Sequence, residues 1–191
     1  MSDGIVYEQP TNEIIPLNCN FTEIPIRDID DITGNKPRTV LGWWRTTKSD
    51  HYHIFECGDR ATGQFLSVGR EYDILACRTG NSPSTNDCSN ISITNIDIAW
   101  EHDKWHHFAY VWDTPNHILY YDGSLYVNVT VTGILTTAST SCVLGSRDPG
   151  LSFKGDIQRL QVYKKALQPP EIKRKYDGIF YFYIISQKLL S

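Results

Sequence analysis

Histidines and cysteines are the residues in this chain whose chemistry is easiest to test against spacing. His51 and His53 stand two apart, so a strand would carry both imidazoles on one face. His102, His106 and His107 form a second group further on. Zinc requires three or four converging ligands, and nothing in the spacing shows convergence, so these histidines are expected to be structural. A serine nucleophile would sit in a Gly-x-Ser-x-Gly elbow, which the chain lacks. The five cysteines are Cys19, Cys57, Cys77, Cys88 and Cys142, with no Cys-x-x-Cys pair to indicate a zinc ribbon or a thioredoxin-type site. Cys77 and Cys88 bracket the polar run Arg78–Asp87, and a disulfide between them would staple a loop that has no core of its own. An odd count leaves at least one thiol free or paired between chains.

Composition narrows the partners. The chain has 191 residues, a net charge of −4 and 40% apolar residues. That is enough for one packed domain. Without a basic stripe or polybasic cluster, neither nucleic acid nor an anionic membrane is an expected partner. No apolar run approaches the ~20 residues of a membrane-spanning helix. Asn20, Asn90 and Asn128 each begin a glycosylation sequon. The start Met1-Ser-Asp-Gly carries no signal-peptide pattern. The expected location is extracellular or on a particle surface.

The elements that would position these groups are short strands. Residues 1–35 are expected to be irregular and to pack on the rest, because Pro10, Pro16 and Pro25 interrupt them. From residue 36, β-branched and aromatic runs alternate with turn clusters. The pattern predicts strands over Arg38–Thr46, Tyr52–Glu56, Gln64–Gly69, Asp73–Arg78, Ile91–Ile98, Trp105–Trp112, His117–Tyr121, Leu125–Val131, Ser141–Leu144 and Gly155–Tyr163. Asp122-Gly123 is a hairpin turn signal. One helix is expected: Pro169-Pro170 open it, Glu171 suits its positive end, and Ile172 and Tyr176 share its docking face. Many short strands with one helix indicate an all-β antiparallel sandwich over 36–176. The tail 177–191 holds Ile179-Phe-Tyr-Phe-Tyr-Ile-Ile185, too short to span a membrane and too apolar to remain in water. Phe180, Tyr181, Phe182 and Tyr183 are therefore expected to contact neighbouring subunits.

The order of motifs resembles the laminin G-like, pentraxin-type domains of the concanavalin A-like superfamily. The resemblance rests on Thr39-Val-Leu-Gly-Trp43, Trp105-His-His-Phe-Ala109 with Asp113, Tyr121-Asp122-Gly123, Val143-Leu144-Gly145 and Phe153-Lys-Gly155-Asp-Ile157, followed by Val162-Tyr163, Ala166-Leu167 and Glu171-Ile172. It implies a jelly roll with a concave and a convex sheet, and binding of glycans or surface proteins, often with calcium. The family's calcium-linked carboxylates on the closing strand are matched here by Gln158 and Arg159, and a guanidinium disfavours calcium. Asp59, Asp148 and Asp156 are the carboxylates left for a metal, and no metal or other cofactor is expected. Related glucanases carry Glu-x-Asp-x-x-Glu, whereas this chain has Glu71, Asp73 and then Ala76. A retaining glycosidase needs two carboxyl groups ~5 Å apart, so no catalytic residue is expected. Trp43 and Trp44 must face opposite sides of a strand. The expectation sets Trp44, Tyr52, Trp112 and Tyr120 on a concave face to stack on sugar. The leading function is non-catalytic recognition of a glycan or protein. The alternatives are a structural subunit of a virus particle, ciliary or cell coat and, last, a glycoside hydrolase.

Overall fold

Short runs of β-branched and aromatic residues pair into two antiparallel sheets. The computed structural model describes residues 4–10, 13–18, 21–27, 29–46, 52–59, 65–71, 74–78, 103–130, 137, 141–148 and 153–178, with only the backbone at 18, 52, 65, 70, 71 and 74–78. The strands are β1 (Ile5–Glu8), β2 (Ile14–Asn18), β3 (Thr22–Ile24), β4 (Arg38–Arg45), β5 (Tyr52–Gly58), β6 (Phe65–Glu71), β7 (Ile74–Arg78), β8 (His106–Asp113), β9 (Asn116–Tyr121), β10 (Ser124–Thr130), β11 (Cys142–Leu144) and β12 (Lys154–Tyr163). A seven-stranded sheet runs β1-β12-β4-β8-β9-β10, with β2 also paired to β12. A five-stranded sheet runs β3-β11-β5-β6-β7.

The expected irregular segment 1–35 is corrected by β1, β2 and β3, which join both sheets. Pro16 does sit in a strand, opposite Asp156. Among the described residues β2 pairs only with β12, and an edge strand tolerates a residue that cannot donate to a ladder. From Arg38 onward the described strands fall within two residues of the expected bounds. The expected strand Ile91–Ile98, the loop between Cys77 and Cys88, and the tail Ile179–Ile185 lie outside the described residues.

Alternation builds the core. Val40, Trp44, Phe108, Tyr110, Trp112, Ile157, Leu160 and Val162 face Phe55, Cys57, Leu66, Val68, Cys142 and Leu144 between the sheets. Each such large apolar side chain contributes ~1.5–3 kcal/mol by leaving water. Leu41, Ala109, Val111, Tyr120 and Tyr163 point to the opposite side of the seven-stranded sheet, where Leu167 and Ile172 cover them. Ile172 belongs to a helix whose described part spans 169–178. Gln168 N donates to Glu171 Oε2 at 2.8 Å, the returning half of a capping box. Asp122 and Gly123 have φ of 45° and 74°, as a tight hairpin turn between β9 and β10 requires. At Gly155 a Cβ would lie 2.1 Å from the Arg45 carbonyl oxygen, so only glycine lets β12 approach β4 there.

Candidate binding face

On the five-stranded sheet, Phe55, Cys57, Leu66, Val68, Cys142 and Leu144 turn into the core. Glu23, Val143, Glu56 and Ser67 then form one transverse row on the side away from the core, where Val143, Glu56 and Ser67 are buried and Glu23 is exposed. The register of β5 shifts between His53 and Phe55. The inserted residue resets the alternation, and His53 Nδ1 meets Glu56 Oε1 at 2.5 Å. Glu56 is fully buried, and a buried carboxylate must be bonded to be tolerated. Its second oxygen accepts the Arg147 backbone N–H at 3.2 Å.

Arg147 belongs to the loop that leaves β11. Gly145 N donates to Ile54 O at 2.8 Å. The Arg147 guanidinium donates to Gly58 O at 3.4 Å, to Ser141 O, and to Ser141 Oγ at 3.0 Å. Ser141 Oγ in turn donates to Glu23 Oε1 at 3.4 Å. Directly beneath, Cys57 and Cys142 occupy opposed positions of β5 and β11 and form a disulfide. Hydrogen bonds thus fasten the loop, and the disulfide links the two strands, β5 and β11, on which it rests. Glu23, Asp59 and Ser141 are exposed beside it, while Arg147 and Asp148 are half-buried. A positioned guanidinium among carboxylate and hydroxyl groups is suited to binding polar partners.

The aromatic residues expected to bind sugar are placed differently. Trp44 and Trp112 are 0% exposed inside the sandwich, and Tyr120 is 4% exposed on the helix side. These three are corrected to packing residues, because both sides of the seven-stranded sheet are covered. Trp43 does face away from Trp44, but it stacks on Tyr176 of the helix at 5.5 Å. The side chain of Tyr52 lies outside the described residues. The bridge expected between Cys77 and Cys88 also falls outside them, and so do Asn20, Asn90, Phe180, Tyr181, Phe182 and Tyr183. Asn128 is exposed on β10.

The other polar candidates are tied to structural tasks. Asp156 accepts from Arg45 Nε at 3.0 Å and from Nη2 at 2.6 Å. Asp148 N donates to Ser146 Oγ at 3.1 Å, and Asp59 is exposed. Among the described residues no three His, Cys, Asp or Glu side chains gather as a metal group. His106 Nδ1 lies 3.0 Å from Asp122 Oδ2, and His107 N donates to Asp122 Oδ1 at 2.7 Å, so Asp122 ties the hairpin turn to β8. The His107 ring is buried beneath Tyr176. Burial, only partly offset by Asp122, lowers its pKa to about 4. Glu71 ends β6 and Ala76 lies in β7, facing Gly69. Glu71 and Ala76 therefore lie on two paired strands and not on one.

The sandwich, the closing β12 and the capping helix agree with a sequence match. The laminin G-type model of the concanavalin A-like lectin/glucanases superfamily matches residues 20–173, and the chain belongs to this family. No curated protein matches the chain. Among solved structures, it is similar to domain 4 of AbnA, an extracellular arabinanase from Geobacillus stearothermophilus, in complex with arabinotriose. That match has 22% identity and a TM-score of 0.57, covering 74% of this chain and 66% of that one. The binding domain of botulinum neurotoxin DC, in complex with rat synaptotagmin II, matches at 13% identity and a TM-score of 0.62, covering 93% of this chain and 52% of that one. A leech intramolecular trans-sialidase matches at 14% identity and a TM-score of 0.64, with 91% of this chain and 28% of that one covered. These likenesses show the fold. The chain spans 66%, 52% and 28% of the three structures.

Proposed function

We propose that the chain is a non-catalytic recognition module that binds a glycan or a protein at a cell or particle surface through the rim of its five-stranded sheet, at Glu23, Ser141 and Arg147. The observation that carries this reading is the fastened loop 145–148, which holds the Arg147 guanidinium beside Ser141 while the exposed Glu23 carboxylate lies next to it. The disulfide beneath suits an oxidising compartment. Solved structures of similar fold hold arabinotriose or synaptotagmin II, which makes both ligand classes reasonable for this chain. Glu56 is shut from solvent and already bonded, so it is poorly placed to serve as an acid for a sugar. The tail 177–191 is the segment we assign to contacts with neighbouring subunits, on its aromatic composition.

A printed glycan array, with a parallel screen of surface proteins, tests the reading. Wild-type chain should retain at least one ligand, and Arg147→Ala should weaken it about tenfold or more, as expected for loss of charge-assisted hydrogen bonds. Equal binding by the variant, or release of reducing sugar from a bound glycan, would count against it.

A further inference from the structure

At one end of the seven-stranded sheet, Arg38, Trp112 and His117 stand in register on the adjacent strands β4, β8 and β9. All three face the interior, and none is more than 1% exposed. Arg38 holds the turn before β4: its Nη1 donates to Ile32 O, and its Nη2 donates to Gly34 O at 3.0 Å. Those carbonyls are neutral, and no carboxylate pairs with the guanidinium among the described residues. Burial lowers the Arg38 pKa to about 10, which leaves it cationic at neutral pH. The result is an isolated positive charge inside a β-sandwich, which the interior tolerates only with compensation.

Three buried ring or guanidine nitrogens in this row lack a hydrogen-bond partner: Arg38 Nε, Trp112 Nε1 and His117 Nε2. The Trp112 and His117 ring centroids are 4.3 Å apart. His117 Nδ1 lies 2.8 Å from the Tyr110 hydroxyl. With that hydroxyl donating, the imidazole proton sits on Nε2. Burial first, and the Arg38 charge second, hold His117 neutral with a pKa of about 3. Thr137 Oγ1 is buried and unbonded as well, and its backbone oxygen accepts from Gly34 N at 2.8 Å. The end of the sandwich therefore has N–H donors and a positive charge but too few acceptors. A water would accept hydrogen bonds without cancelling the charge, whereas an anion would do both.

We propose that Arg38, Trp112 and His117 form a buried site for one small monovalent anion of the halide type. Its role is structural: it neutralises Arg38 and ties β4, β8 and β9 together at this end. A ligand that binds only the folded state raises the midpoint with its concentration.

The test uses the full chain with sodium bromide titrated against sodium gluconate at constant ionic strength, since gluconate is too large for a closed interior. Above the dissociation constant, the thermal midpoint should rise by about 3–6 °C per tenfold bromide. Crystals grown in bromide should show an anomalous peak within hydrogen-bond distance of Trp112 Nε1. Trp112→Phe keeps the ring and removes the N–H, so it should fold and need at least several-fold more bromide before its midpoint begins to rise. Arg38→Met should abolish the slope if it folds. A wild-type midpoint indifferent to bromide, no anomalous peak in this row, or an unchanged bromide dependence in Trp112→Phe would overturn the proposal.

Discussion

Across the seven-stranded sheet the outward side chains include Leu41, Ala109, Val111, Tyr120 and Tyr163, and the segment carrying Leu167 and Ile172 seals them. Across the five-stranded sheet the matching positions are Glu23, Val143, Glu56 and Ser67, and hydrogen bonds from the 145–148 loop hold that face. The first face is finished by the chain's own helix. The second is finished by polar bonds that leave charged groups at its rim. An apolar face must be covered to be stable, and a covered face has little left to offer a partner. The centre of the second face is buried as well, at Val143, Glu56 and Ser67, so only its rim, with the exposed Glu23 and Ser141 and the half-buried Arg147, is left to a partner. The difference separates a face sealed by apolar packing from one whose polar rim the proposed recognition would use.

The largest expected effect is produced by acid on the helix-covered face and the interior behind it. His107 and His117 are held neutral by burial, with pKa values lowered to about 4 and about 3. Their contribution is fully present above the ordinary histidine value of 6.5 and is lost as pH falls towards those folded values. Each contributes about 1.4 kcal/mol per pH unit, so the pair should cost on the order of 5 kcal/mol by pH 4. Urea unfolding from pH 7 to pH 4 measures this, and a flat profile would contradict the burial of both rings.

Ile172→Ala is next. Its side chain is 0% exposed beneath the helix, so the loss should be about 2–5 kcal/mol. Ligand binding by the folded fraction should not change. Glu56→Gln acts on the other face and should cost about 1–3 kcal/mol by spoiling a buried hydrogen-bonded group. Unlike Ile172→Ala, it should also weaken binding, because Arg147 loses an anchor. If the two variants changed binding equally, the division between the faces would fail.

The smallest effect is at the helix start. The Glu171 pKa is lowered chiefly by the Gln168 backbone hydrogen bond and then by Lys165. Its stabilisation is therefore present above the unfolded carboxylate value and is lost as pH falls through the folded one. Glu171→Gln should cost about 0.5–1 kcal/mol at neutral pH. The gap from wild type should close in acid, which paired thermal melts would detect.

Local features were readable in the sequence. The Asp122-Gly123 turn and the opening of the helix at Pro169 depend on residues within one turn of each other. Longer-range features were not. Pro16 argues against a strand unless the edge position of β2 is known. The strand expected over Tyr52–Glu56 continues to Gly58, and the two further residues include Cys57, whose partner lies 85 positions away. Alternation correctly sent Trp43 and Trp44 to opposite sides. It could not show that the helix closes the side that Trp43 faces. The sugar-binding expectation for Trp44, Trp112 and Tyr120 failed because covering is a tertiary property.

Hydrogen–deuterium exchange on the full chain, with and without a saturating hit from the glycan or protein screen, tests the division most directly. The account predicts slowed exchange in peptides covering 53–58 and 141–148, with 164–178 unchanged. Protection confined to 164–178, with 141–148 unaffected, would contradict it.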